Sequence, residues 1–174
     1  VPHRFATDTR AAVDDGWTPE MPPLPQTRLL IDTAKSVITR NESPDLGFEQ
    51  SLNPYRGCEH GCIYCYARPT HAFLGLSPGR DFATQIVAKP DAARLLREEL
   101  ARPDYACATL VLGTSTDAYQ PFERHERITR AVLEVLLEVR HPVSVVTKSS
   151  LIVRDLDLWA ELAAPAQGSD SRML

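Results

Sequence analysis

Apolar residues along this chain fall into a sustained period only after about residue 50. Residues 1–50 are rich in Pro, Asp and Thr and hold neither a helical nor a strand period, which predicts an irregular N-terminal extension. Within it, the PPLP run at 22–25 favours polyproline geometry. Trp17 is a candidate anchor, and residues 27–39 carry Leu29, Leu30, Ile31, Val37 and Ile38, enough for one short strand or a packing arm.

From residue 51 the pattern becomes regular. Residues 51–55 (SLNPY) read as a short strand, and residues 84–89 (TQIVAK) as a second β-like run. Pro90 and Asp91 open a helix in which Ala92, Leu95, Leu96 and Leu100 share a face opposite Arg94, Arg97 and Glu98. The unbroken apolar run CATLVL at 107–112 predicts a strand buried on both faces, with Cys107 as a small buried hydrophobe. One long helix is expected over 122–140, with Ile128, Ala131, Val132, Val135, Leu136 and Val139 as its buried stripe. His141-Pro142 ends it, because the residue before proline avoids the α region. Residues 143–147 (VSVVT) are the next strand, and Ile152, Leu156, Trp159 and Leu162 mark a last helix face. A β-loop-α order repeated three times predicts an α/β fold with a parallel sheet and right-handed crossovers over residues 51–163, followed by a tail at 164–174.

Composition adds little beyond exclusions. Hydrophobic content of 43% and charged content of 24% suit an ordinary globular domain. No run approaches a membrane span and no apolar leader opens the chain, so a cytoplasmic setting without disulfides is expected, with no membrane partner. The first residue is Val1, which marks a fragment or an alternative start. A net charge of −4 argues against strong sequence-independent binding to a nucleic-acid backbone. Near residues 53–89 the balance reverses: Arg56, Arg68, Arg80 and Lys89 outnumber Glu59 and Asp81, either to steer an anion or simply as solvated charge.

The chemistry concentrates in residues 53–75. Three of the four cysteines lie there as C-x3-C-x2-C, at Cys58, Cys62 and Cys65, with Tyr64 before the last. Gly57 and Gly61 each precede a cysteine, so the backbone there can turn tightly and take φ > 0. Converging thiolates suit an inorganic centre. Iron–sulfur cubanes ordinarily take four cysteines, so three leave one iron free for a small molecule. Two other readings stand beside this one: a Cys3His zinc site that includes His60, and a Cys62/Cys65 redox pair. His60 is assigned to the loop surface.

In parallel β/α folds, working residues gather at the carboxyl ends of strands. The first such end is the cysteine loop. The second is Gly113-Thr114-Ser115-Thr116-Asp117, and the third is Thr147-Lys148-Ser149. Small hydroxyls, one carboxylate and one ammonium suit a zwitterionic amino acid and a ribose. Thr and Asp at such places also serve as caps and turns, and Lys148 as a solvated cation.

The string at 53–79, NPYRGCEHGCIYCYARPTHAFLGLSPG, with GTSTDAYQP at 113–121 and VTKSSLIVRDLDL at 146–158, resembles the radical S-adenosylmethionine enzymes. Their DNA repair photolyase-like branch, similar to spore photoproduct lyase, is the part resembled, over residues 15–162. The resemblance implies a [4Fe–4S] cluster on Cys58, Cys62 and Cys65, with S-adenosylmethionine on its open iron. It implies cofactor contacts from Tyr64, Thr116, Asp117 and Lys148, and reductive cleavage to a 5′-deoxyadenosyl radical. A reductant such as flavodoxin or ferredoxin is the implied electron donor, and a DNA lesion the implied substrate, although no basic helix or aromatic-interleaved basic patch is present. Barrels of this type have six β/α units and three are visible, so a partial (β/α) barrel of a truncated or frameshifted member is expected. Its last strand would present an unpaired edge, and the chain alone would bind cofactor weakly and turn over poorly.

Overall fold

Leu52, Leu110 and Leu112 are wholly buried, and the strands that carry them organise the molecule. The computed structural model describes residues 26–164. In chain order these hold β1 (Arg28–Ile31), β2 (Ile38–Arg40), β3 (Gln50–Leu52), β4 (Tyr55–Arg56), α1 (Asp81–Thr84), β5 (Gln85–Ala88), α2 (Ala92–Leu100), β6 (Leu110–Leu112), α3 (Glu123–Glu126), α4 (Ile128–Glu138), β7 (Val143–Val145) and α5 (Leu156–Ala163). The PPLP run, Trp17 and residues 165–174 of the tail lie outside the described residues.

The sheets are mixed rather than wholly parallel. One has the order β2-β3-β6-β7, and the other β1-β5-β4. In the first, β3, β6 and β7 run parallel while β2 pairs antiparallel with β3. In the second, β1 is parallel and β4 antiparallel to β5. Residues 27–39 thus form two strands, one for each sheet, rather than a single arm. No closed barrel is present among the described residues, and β7 is an edge strand.

Register explains the layers. Ile38, Leu52, Leu112 and Val145 sit side by side across the four-stranded sheet and pack into the main core with Leu95 and Leu96 of α2 and Val132, Leu133 and Leu136 of α4. The alternate row, Thr39, Ser51, Val111 and Ser144, faces the other way, since side chains alternate along a strand. The apolar face is therefore covered by helices and the hydroxyl-bearing face is left for a cavity.

The expected helix over 122–140 is broken. Arg127 takes φ 52 and separates α3 from α4. The cause is Glu123, which is wholly buried. Its carboxylate accepts the backbone N–H of Thr129 at 3.0 Å and of Arg130 at 3.4 Å, filling the exposed donors of a new helix start. It also accepts Tyr55 Oη at 2.5 Å and Arg154 Nη2 at 2.8 Å. Desolvation and the adjacent carboxylate push the Tyr55 hydroxyl far above its ordinary range. At the other end, His141 N–H reaches Leu136 O at 2.9 Å and Arg140 N–H reaches Leu137 O at 3.1 Å, with Arg140 at φ 51, so a Schellman turn ends α4 before the proline.

Two positions depart from the burial that the apolar pattern predicts. Cys107 is exposed, because β6 begins only at Leu110. Its sulfur lies 3.6 Å from Nε2 of the buried His141. In the last helix, a 3-10 segment at Ser150–Asp155 shifts the phase: Leu158 is buried and Leu156 is exposed.

Candidate functional site

Gly57 and Gly113 set the backbone of the site. Both take φ > 0, at 78° and 86°. A Cβ on Gly57 would stand 2.8 Å from Phe82 O, and one on Gly113 would stand 2.3 Å from Val146 O. Only glycine lets the cysteine loop lie against α1 and the β6 loop lie against the end of β7.

The cysteine loop is held by one guanidinium. Arg68 donates through Nε to Cys62 O at 2.8 Å, through Nη2 to Gly61 O at 2.7 Å and through Nη1 to Gly79 O at 2.6 Å. It also stacks 5.2 Å from the Phe82 ring centroid. Charges that the sequence left free for steering an anion are thus partly used within the fold: Arg68 here, and Arg56 against Asp32 at 3.2 Å.

Two amides, neither singled out from the sequence, tie the loops together. Asn53 Nδ2 donates to Thr114 Oγ1 at 3.0 Å, and its Oδ1 accepts Ser115 N–H at 2.8 Å. Gln120 Oε1 accepts Glu59 N–H at 2.9 Å, while its Nε2 lies 3.3 Å from Thr116 Oγ1. Asn53-Pro54 leading into the loop was the one visible signal. Gln120 left none, since Glu59 and Gly57, which it ties to the second loop, stand about sixty residues away.

The predicted site residues come together. A cavity of about 310 Å³ is lined by Cys58, Cys62, Tyr64, Cys65, Thr116, Asp117 and Lys148. All three strand ends contribute to it. Cys58 is buried while Cys62 and Cys65 are half-buried. Tyr64 stands at the mouth, 82% exposed. Thr116 donates its hydroxyl to Gly57 O at 2.6 Å, so it fixes the loop that carries the cysteines.

Asp117 is the hub. Its Oδ1 accepts Tyr119 N–H at 2.8 Å, closing an Asx turn, and Thr147 Oγ1 at 2.6 Å. Its Oδ2 accepts Lys148 N–H at 3.1 Å. The turn role and the site role therefore coincide in one carboxylate. His60 is not on the loop surface: its Nε2 is buried, 3.4 Å from Asp117 Oδ2 but misaligned for a hydrogen bond. Burial pushes this imidazole below its ordinary value, with Asp117 pulling the other way.

Lys148 Nζ donates to Cys62 Sγ at 2.7 Å. That ammonium holds the Cys62 thiol below the ordinary range, whereas burial pushes the Cys58 thiol up. One loop thus offers thiols of unlike acidity. His60 lines the same cavity as the three cysteines, and among the described residues no group of three His, Cys, Asp or Glu side chains is placed to hold a metal ion. A cluster spreads its sulfur ligands over separate irons, and so is not bound by that criterion.

No helix among the described residues is long and apolar enough to cross a membrane. No protein-family model matches the chain, and no solved structure matches it. It is similar to uncharacterized proteins of Mycobacterium bovis and Mycobacterium tuberculosis, 46% identical over 118 residues, which is 68% of this chain and 35% of theirs. An uncharacterized protein of Methanocaldococcus jannaschii is 28% identical over 131 residues, 75% of this chain and 46% of its own length. The chain thus spans about a third to a half of these curated relatives.

Proposed function

We propose that this cavity is a radical S-adenosylmethionine site, with Cys58, Cys62 and Cys65 as ligands of a [4Fe–4S] cluster. The observation that carries the reading is that three thiols from one loop share a single cavity with the loops that follow β6 and β7. Donor chemistry fits: three sulfurs and no fourth cysteine nearby leave one iron for an amino acid chelate. When bound, the cluster and S-adenosylmethionine supply a 5′-deoxyadenosyl radical, and the hard chemistry is theirs.

The chain's own residues bind and position. Arg68 and Thr116 hold the loop carbonyls so that the thiols keep one spacing. Asp117 pins the end of β7 to the end of β6, which fixes Lys148 at the cavity wall. Lys148 acts from outside on the Cys62 sulfur, as partners of metal ligands do, and is the cation in place for a carboxylate. Tyr64 closes the mouth. The parallel run β3-β6-β7 is, on this reading, part of a (β/α) barrel whose other strands are not among the described residues. A cytoplasmic setting, a flavodoxin- or ferredoxin-like reductant and a lyase- or repair-type substrate on DNA belong to the same proposal.

The test is electron paramagnetic resonance on anaerobically reconstituted, reduced protein. Adding S-adenosylmethionine should change the cluster signal, and Asp117→Asn should weaken the change. An unaltered spectrum in the unsubstituted protein would overturn the open-iron assignment.

A further inference from the structure

Lys89 follows β5, and its side chain is only 8% exposed. Among the described residues its ammonium has no hydrogen bond and no carboxylate within 4 Å, while its backbone N–H donates to Pro54 O at 3.0 Å. A lysine so largely buried carries a desolvation cost, and folded proteins ordinarily pair or hydrogen-bond its charge. The nearest fixed charge makes matters worse. Desolvation first, and then the Arg56 guanidinium, hold the Lys89 ammonium below its ordinary pKa, while Asp32 and Glu99 pull it back only from a distance. Asp32 is itself engaged with Arg56, and Glu99 with Val37 N–H at 2.6 Å.

What lies in front of Lys89 is a cavity of about 200 Å³, whose walls carry Arg56 and the side chains of Thr39, Thr70 and Ser115. Lys89 and Arg56 line this space with Thr39, Thr70 and Ser115, and no carboxylate lines it. Arg56 is shared with Asp32 at 3.2 Å and Thr70 Oγ1 donates to Ala67 O at 2.6 Å, which leaves the Lys89 ammonium and the Thr39 and Ser115 hydroxyls as the groups to meet an anion. Phe73, 88% exposed, stands at its rim. The composition is that of an anion site, with hydroxyl donors around a desolvated point charge and a guanidinium at the edge. The room suffices for a tetrahedral oxyanion with a few waters, at about 30 Å³ each.

We propose that Lys89 and Arg56 form a binding site for a phosphate group. Ser115 lines both this cavity and the cysteine cavity, and Asn53, which lines the phosphate cavity, anchors the Thr114-Ser115 loop between them. A phosphate seated on Lys89 therefore places the rest of its molecule toward the thiol loop. Resting on the function proposed above, this identifies the substrate class as phosphate-bearing, with the phosphate acting as a handle and taking no part in bond making.

The measurement needs no cluster, so its failure leaves the cysteine assignment untouched. The full chain is titrated with inorganic phosphate, a nucleoside monophosphate and chloride at matched ionic strength, with melting temperature and 31P line width as readouts. Phosphate should give a saturable rise that chloride does not, and Lys89→Met should abolish saturation or weaken it at least tenfold. Lys89→Met should also melt higher than the unsubstituted chain in phosphate-free buffer, since it removes a charge that burial disfavours and keeps the volume. Lys148→Met should retain the phosphate response. A stronger response to the nucleotide than to inorganic phosphate assigns the handle to a larger ligand, and an equal response assigns the site to the oxyanion itself. Absence of a saturable response, or one that survives in Lys89→Met, overturns the proposal.

Discussion

Lys148 and Cys62 are 86 residues apart in sequence, yet the ammonium of one rests 2.7 Å from the sulfur of the other. This contact joins the end of β7 to the cysteine loop. Lys148→Met should raise the Cys62 thiol toward its ordinary value and slow its alkylation at pH 7 several-fold in iron-free protein. Peptide mapping by mass spectrometry, with Cys107 as internal reference, reads the change.

Arg68 is the loop's internal clamp. Arg68→Met removes charged hydrogen bonds to the carbonyls of Gly61, Cys62, Pro78 and Gly79 and should cost about 1–3 kcal/mol in denaturant unfolding. Iron loading should fall by more than stability alone explains, because the thiol spacing loosens while the core stays folded. Iron content per folded chain measures this.

Glu123 caps α4 from inside the core. Glu123→Gln leaves Arg154 facing a neutral amide and weakens the bond from Tyr55, so a loss of about 3 kcal/mol is expected by urea unfolding. A loss below about 1 kcal/mol would remove Glu123 as the cause of the break at Arg127.

Lys89 predicts a pH signature. Its folded pKa is depressed, so the unfolded chain binds more protons between the folded value and the ordinary lysine value of about 10.4. Stability contributed by this group must then rise with pH across that window. Melting curves at increasing pH should show the gap between Lys89→Met and the unsubstituted chain narrowing in phosphate-free buffer.

The sequence carried the strand ends and thiol spacing, because apolar runs and cysteines mark themselves. Positions of Thr116, Asp117, Thr147 and Lys148 at carboxyl ends followed from strand order alone. What it hid were side chains that act across long separations, Gln120 on Glu59 and Asn53 on Ser115, and a carboxylate, Glu123, that caps the start of α4 six residues on. A periodic apolar stripe cannot reveal a helix break caused by a buried carboxylate. Nor could it place Cys107, whose apolar neighbours suggested burial although the strand starts three residues later.

On the function proposed above, Cys58, Cys62 and Cys65 together hold a cubane cluster. Anaerobic reconstitution followed by iron and sulfide analysis tests it most directly. About four irons and four sulfides per chain are expected, with loading lost on replacing any of the three by alanine and kept in Cys107→Ser. Stoichiometric zinc in place of iron, or full loading in the alanine variants, would contradict it.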